Sequence, residues 1–308
     1  MSAGAVRTRR WVPAALLTLA VFFWAGNWAI GRALRMDAPP VALAFWRWVI
    51  TLLVLLPFTA REVRRYWPVL AGAWKQLAVL ALLATVFQHI PVYMALRSTG
   101  AANGALLNAI SPIFMVLLAL VCFGDRLRPV AALGIMISLA GVVWIVSRGS
   151  PADLLMLEIN SGDLWALGAA FSWASYTVCL RRRPAALPPL VFLATIALFG
   201  IVAMLPLYLL ELGHGIHLQL TVGSLLGIAY IGVFATVIAY IFWHRGVHEL
   251  GSHAGGSFMY LMPVFTAILA VVFLGEPLHA YHFIGTVLIF SGVFLTTRFQ
   301  HAVDPRLL

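Results

Sequence analysis

Apolar positions run in blocks of about twenty along nearly the whole chain, broken by short polar segments rich in Arg, Gly and Pro. A helical block of that length crosses the ~30 Å hydrocarbon core of a bilayer. The pattern predicts ten such spans: Trp11–Ile30, Val41–Thr59, Trp74–Leu96, Ala101–Phe123, Pro129–Ser147, Leu164–Leu180, Pro189–Leu210, Leu220–Trp243, Gly251–Leu274 and Ala280–Thr297. The connecting segments are short and leave no room for an extramembrane domain. Composition agrees: 63% of the 308 residues are hydrophobic and 10% are charged, where a soluble domain carries about 25% charged residues. The predicted fold class is an all-α integral membrane protein with ten transmembrane helices.

The net charge of +10 raises the question of a nucleic-acid partner, and its distribution answers it. With the N-terminus in the cytoplasm, the inner segments hold Arg7, Arg9, Arg10, Arg61, Arg64, Arg65, Lys75, Arg126, Arg128, Arg181, Arg182, Arg183, Arg245, Arg298 and Arg306. The outer segments hold only Arg32, Arg35, Arg97 and Arg148, and Arg47 lies within a span. This is the positive-inside asymmetry, which predicts cytoplasmic termini and a bilayer partner. The three early Arg before an apolar run imitate a cleavable signal. No A-x-A-like site follows at the right place and many further spans do, so the run is read as the first helix. Cys122 and Cys179 fall inside predicted helices, which argues against a disulfide framework or a Cys-based zinc site.

A long-range regularity overlies the spans. Ala101–Leu127 and Ser252–Leu278 align without gaps: Gly104 with Gly255, Pro112 with Pro263, Gly124 with Gly275 and Asp125 with Glu276, all at an offset of 151. Gly134 and Gly141 match Gly285 and Gly292 at the same offset. Nearer the start, AVFFWAG at Ala20–Gly26 aligns with AAFSWAS at Ala169–Ser175, and Pro39-Pro40 with Pro188-Pro189, at an offset of 149. The chain thus reads as two five-span units, residues 1–150 and 151–308. Five is odd, so the second unit re-enters from the opposite face, and the expectation is a pair of inverted repeats. Gly100-x-x-x-Gly104 and Gly251-x-x-x-Gly255 open the fourth and ninth spans and predict close helix approach. Pro112 and Pro263 each delete a backbone donor and can kink their helices.

Polar groups within spans mark a cavity or a partner helix. His89 and Tyr93 share a face at i, i+4; adding the offset gives Tyr240 and His244, the same pair with identities exchanged. His89, Tyr93 and Tyr240 are expected on a transport path, and His244, nearer the inner end, in helix packing. Trp24 and Asn27 in the first span, and Trp173 and Tyr176 in the sixth, offer ring area with polar tips for an amphipathic substrate. Asn108 and Ser111 share a face of the fourth span, and Tyr260 and Ser257 have the same spacing in the ninth. Arg47, ~9 Å inside the second span by helix rise, is read as structural, snorkelling to the outer headgroups or pairing with a helix C-terminus; a substrate carboxylate is the alternative. All ten acids lie at span ends or in loops. His89 is then the titratable mid-span group near neutrality, and movement down the substrate's own gradient, or proton linkage through His89, is expected over carboxylate coupling.

Enzyme signatures are missing: no H-E-x-x-H, Walker loop or G-x-G-x-x-G. An intramembrane hydrolase would have Ser111 as nucleophile and His89 as base. His244/His248 and His279/His282 have metal-compatible spacing but no supporting ligands, so no metal or cofactor is expected. A non-transporting receptor has no need of two-sided symmetry.

WAGN at Trp24–Asn27, Arg47 after aromatics, the N-x-A-L-L-x-x-x-S-P-I-F run at Asn103–Phe114, and the FGDRL and LGEPL endings together resemble the EamA-type branch of the drug/metabolite transporter superfamily. The resemblance covers both halves. It implies a bacterial inner-membrane carrier in which helices one, three, four, six, eight and nine surround a central cavity. It also implies export of amino acids or other small metabolites, with drugs and nucleosides as alternative cargo. Where the family often carries an acid just before the proline of helix nine, this chain has Met262. The resulting expectation is a secondary transporter of a small amphipathic metabolite working by alternating access, with a homodimer left open.

Overall fold

The computed structural model of the protein describes residues 11–123, 129–150, 160–180, 183–184, 186–250, 258–259 and 261–299. Every regular element among them is helical. In chain order these are α1 (Trp11–Ala33), α2 (Pro40–Arg65), α3 (Trp67–Gly72), α4 (Trp74–Ala81), a π turn (Leu82–Val86), α5 (Phe87–Ser98), α6 (Ala101–Asn108) and α7 (Ser111–Phe123). There follow α8 (Pro129–Val146), α9 (Ser161–Leu180), α10 (Pro189–Gly213), α11 (Val222–Gly232), a second π turn (Val233–Ile238), α12 (Ala239–Leu250), α13 (Leu261–Leu274) and α14 (Ala280–Phe299).

Among the described residues, six runs are long and apolar enough to cross a membrane: Trp11–Ala33, Pro40–Arg65, Trp74–Ser98, Ala101–Cys122, Pro189–Gly213 and Val222–Gly246. Shorter apolar stretches occupy α8, α13 and α14. The sixth expected span falls on α9, where Asp163 and three serines dilute the apolar run. Large apolar side chains stand out from the bundle, among them Val121, Phe283, Leu226 and Val272 at 66–84% exposure. Such a surface is an aggregation liability in water and an ordinary contact surface in lipid.

The local chemistry explains the breaks. Proline at the first position starts both α2 and α10, where its missing N–H is no loss. The next donors of α2, the N–H groups of Val41 and Ala42, go to the carboxylate of Glu211 at the far end of α10, a negative charge at a helix N-terminus. Thr221 and Ser224 form a reciprocal capping box on α11. The kink expected at Pro112 is a full interruption: α6 ends at Asn108 and α7 begins at Ser111. Pro112 has no N–H for the carbonyl of Asn108, and the Ser111 hydroxyl donates to that carbonyl instead, at 2.6 Å.

Neither π turn was expected from the apolar pattern. Both contain the tripeptide Ala-Thr-Val, at 84–86 and 235–237, separated by the same 151 residues as the matched prolines. The threonines turn back on their own helices, Thr85 to the carbonyl of Ala81 and Thr236 to that of Ile231. Side-chain donation of this kind takes up carbonyls that a widened turn leaves short of amide partners.

Packing interleaves the early and late parts of the chain. α1 packs on α12 and α13, α9 packs on α5, α6 and α7, and α2 lies along α10. α8 and α14 form the most extensive helix pair. They cross where glycines let the backbones meet: a Cβ on Gly292 would collide with Gly134 O and Ser138, and one on Gly141 would lie 2.9 Å from the backbone nitrogen of Ile289. The Gly100–Gly104 motif also has a tight neighbour, since a Cβ on Gly104 would sit 2.7 Å from the Trp28 ring. Gly251 and Gly255 lie outside the described residues.

Candidate functional site: a cavity between the two halves

A cavity opens where α1, α2, α5, α6, α9, α10, α12, α13 and the two π turns converge, with about 830 Å³ of empty space including its mouth. Trp24, Asn27 and Trp28 come from α1, Arg47 and Trp48 from α2, and Gln88 and His89 from α5. Asn108 ends α6; Trp173 and Tyr176 come from α9, Leu193 and Ile196 from α10, and Tyr240 from α12. Ala84, Ala235 and Thr236 of the π turns and Met259 and Met262 complete the wall. The resemblance pointed to the first, third, fourth, sixth, eighth and ninth helices; α2 and α10, on the second and seventh spans, contribute as well.

The centre of the polar side is Arg47, only 4% exposed. Its Nε–H donates to Thr236 Oγ1 at 3.0 Å, and Nη1 donates to Asn27 Oδ1 at 3.0 Å and to the Tyr93 hydroxyl at 3.2 Å. Nη2 makes a longer contact, 3.5 Å, with the carbonyl of Ala235. Tyr93 donates its own proton to Asn27 Oδ1 at 2.8 Å, closing a three-membered network. Arg47 therefore does not snorkel to the headgroups; its guanidinium lies inside the bundle and joins α2 to the second π turn. The edge of His89 meets Trp48, ring centroids 5.5 Å apart, and Tyr93 lies 6.5 Å from His89. Four buried polar atoms of wall residues make no hydrogen bond among the described residues: Trp48 Nε1, Gln88 Oε1, His89 Nδ1 and Asn108 Oδ1. Buried polar groups are nearly always paired, so their concentration around one cavity marks it as the place where a ligand or water completes them.

Of the residues expected from sequence, Trp24, Asn27, His89, Asn108, Trp173, Tyr176 and Tyr240 line this cavity. Tyr93 and Ser111 sit behind the wall. The Tyr93 hydroxyl is turned to Asn27 and Arg47, and that of Ser111 to the Asn108 carbonyl rather than to His89. Tyr260 and Ser257 lie outside the described residues. Trp24 packs on Trp243 at 5.1 Å, and His244 on Tyr240 at 4.2 Å. Gln88, Trp48, Thr236 and Met259 escaped the sequence reading. Gln88 adjoins His89 and was legible as a mid-span amide; a threonine in an apolar run gives no signal of its own.

A second polar cluster lies at one end of the bundle. Arg32 Nε and Glu276 Oε1 form an ion pair at 3.1 Å. Glu276 also accepts the N–H of Ala101 at 3.0 Å, and Arg32 donates to Leu96 O at 2.7 Å. Thr99 and Asn103 donate to Asp163 at 2.5 and 2.8 Å. These bonds tie α1, α5, α6, α9 and the segment after α13 together.

Long apolar helices, lipid-type surfaces and an internal polar cavity define a multi-pass helical membrane protein. The model of the EamA-like transporter family matches the chain twice, at residues 11–147 and 160–298, and the chain belongs to that family. An uncharacterized transporter of Archaeoglobus fulgidus is 28% identical over 93% of this chain and 97% of its own. The uncharacterized transporter YyaM of Bacillus subtilis is 26% identical over 82% and 83%. One crystal structure of a protein superposes with a TM-score of 0.60 at 22% identity, over 94% of this chain and 98% of that one; at that identity the likeness concerns the fold.

Proposed function

We propose that the protein is a secondary transporter that exports a small amphipathic metabolite, an amino acid or related compound, from the bacterial cytoplasm by alternating access. The moving parts are two inverted five-helix repeats, residues 1–150 and 151–308, in the inner membrane with both termini inside. The observation that carries this reading is the pairing across the cavity. Its wall includes Trp24 and Trp173, Asn27 and Tyr176, and Arg47 and Ile196 at the offset of 149, and Ala84 and Ala235, His89 and Tyr240, and Asn108 and Met259 at 151. A site built twice from a duplicated unit is what two alternating exits require. The two family-model matches and the interleaved packing of α1 with α12 and α13, and of α9 with α5 to α7, support the same arrangement.

The pairs are chemically unequal. Asn27, Arg47, His89 and Asn108 of the first half correspond to Tyr176, Ile196, Tyr240 and Met259 of the second. An amphipathic solute suits such a wall, its polar head on one side and its apolar part on the other. The test is counterflow in proteoliposomes preloaded with amino acids, nucleosides, sugars or cationic drugs. Exchange of a compound with both polar and apolar parts is expected. Exchange of none, or of sugars alone, overturns the reading.

A further inference from the structure

We infer that the cavity recognises a substrate carboxylate, with Arg47 as its counter-charge; this rests on the transport reading for what happens after binding, but not for the binding itself. An arginine inside a membrane bundle normally faces an acid, because an uncompensated buried charge is unfavourable by several kcal/mol. Arg47 faces none. Its hydrogen-bond partners are a threonine hydroxyl, an amide oxygen, a phenol and a backbone carbonyl, all neutral. No Asp or Glu lines the cavity among the described residues, and the ion pairs found there, Arg32–Glu276 and Arg245–Glu249, lie elsewhere.

The neutral bonds orient the guanidinium without neutralising it. They engage Nε and both hydrogens of Nη1, and they leave Nη2 with a single contact of 3.5 Å for its two hydrogens. The neighbouring Trp48 indole N–H, buried on the same wall, has no acceptor. Two donors and one positive charge match the two oxygens of a monoanionic carboxylate. A dianionic phosphate would leave a net negative charge buried beside a single cation. The same cavity wall includes Leu193, Ile196, Met259 and Met262, apolar surface for the remainder of the molecule. A purely structural Arg47 would be expected to have its charge matched by protein; here the described residues supply neutral partners and no acid.

The experiment measures binding and transport separately on the purified full-length protein with four probes sharing one apolar body. They are L-leucine, N-acetyl-L-leucine (carboxylate only), L-leucine methyl ester (ammonium only) and isoamylamine. Binding is read by calorimetry in detergent and transport by counterflow in liposomes. Both carboxylates are expected to bind at least about tenfold tighter than the ester or the amine, the size of one charge-assisted hydrogen bond. Arg47→Gln should erase that difference and Arg47→Lys should keep part of it, since the charge remains and the planar fork is lost. The wild-type series decides the matter even if Arg47→Gln does not fold. Equal binding of ester and acid, or binding of none of the four, overturns the inference. Carboxylate-selective binding without counterflow retains it and removes the transport reading; counterflow without preference for the carboxylate does the reverse.

Discussion

Ser138 of α8 donates its hydroxyl proton to the carbonyl of Ile289 on α14, 3.1 Å away and 151 positions along the chain. That separation equals the offset between the matched glycines and prolines of the two halves. Around this bond the glycines cross over: Gly134 meets Gly292, and Gly141 meets Gly285. Since Gly285 is the counterpart of Gly134, and Gly292 that of Gly141, each contact is the image of the other. Reciprocity of this kind fits the proposed inverted repeats, whose relating axis would pass near Ser138 and Ile289. Contacts that advance on α8 while they retreat on α14 also make the two helices antiparallel.

Because backbone meets backbone there, the crossing has no slack for an added side chain. Gly292→Leu is expected to destabilise the protein by the ~1–3 kcal/mol typical of overpacking, seen as a lower melting temperature in detergent. Gly72→Ala is the control: a Cβ at that position meets nothing within 4 Å, and alanine is the better helix former. An unchanged melting temperature in Gly292→Leu would remove the crossing from among the contacts that hold the fold.

Tyr93 shows what a residue behind the wall contributes. Its hydroxyl accepts from Arg47 and donates to Asn27, so it fixes both at once. Tyr93→Phe removes one oxygen and leaves the ring in its buried place. The loss of hydrogen bonding is expected to destabilise the protein by about 1 kcal/mol and to raise KM roughly fivefold with little change in maximal counterflow rate. A lower rate at unchanged KM would instead assign Tyr93 to the conformational step.

The legible part of the fold is the part governed by apolar length and by proline. Trp11–Ile30 was expected and α1 runs Trp11–Ala33; Pro40 and Pro189 open α2 and α10 as their position before an apolar run implies. The π turns were invisible because Ala-Thr-Val is as apolar and as helix-compatible as its surroundings; the extra residue per turn is set by packing. The site divides in the same way. Trp24, Trp173, His89 and Tyr240 were legible because the duplication pointed to each from two places. Snorkelling stood as an option for Arg47 because its depth, ~9 Å by helix rise, is within reach of the headgroups. Only the fold reveals that its side chain turns inward to Thr236 and Asn27.

The cluster built on Arg32 and Glu276 lies at one end of the bundle, the outer end under the proposed orientation, and is a candidate latch there. Its parts belong to both halves: α1, α5 and α6 on one side, Asp163 and Glu276 on the other. Glu276→Gln keeps the shape and removes the charge that Arg32 and the N-terminus of α6 share. Labelling of Asn103→Cys by a membrane-impermeant thiol reagent should then rise several-fold in right-side-out vesicles, with Cys122 and Cys179 replaced by serine. Equal labelling with and without the Glu276 change would separate this ion pair from any opening at that end.

Energy coupling is the last expectation that this cavity makes concrete. A proton-driven carrier needs a group that binds a proton on one side and releases it on the other, and the usual choice is a carboxylate. The wall carries none among the described residues; the position before Pro263 is Met262, a thioether. His89 is the remaining titratable group of the wall with a neutral-range reference value, and its neighbours there are Trp48, Tyr93 and the cation Arg47. A second positive charge beside an unneutralised guanidinium is unfavourable, which disfavours His89 as an obligatory proton carrier. A pH gradient imposed on proteoliposomes is therefore expected to leave substrate at its equilibrium distribution, while counterflow proceeds. His89→Ala should alter affinity rather than create or abolish uphill movement. Accumulation against the substrate gradient in the wild type, lost in His89→Ala, would make His89 the coupling group; accumulation in both would require a carrier of protons elsewhere in the chain.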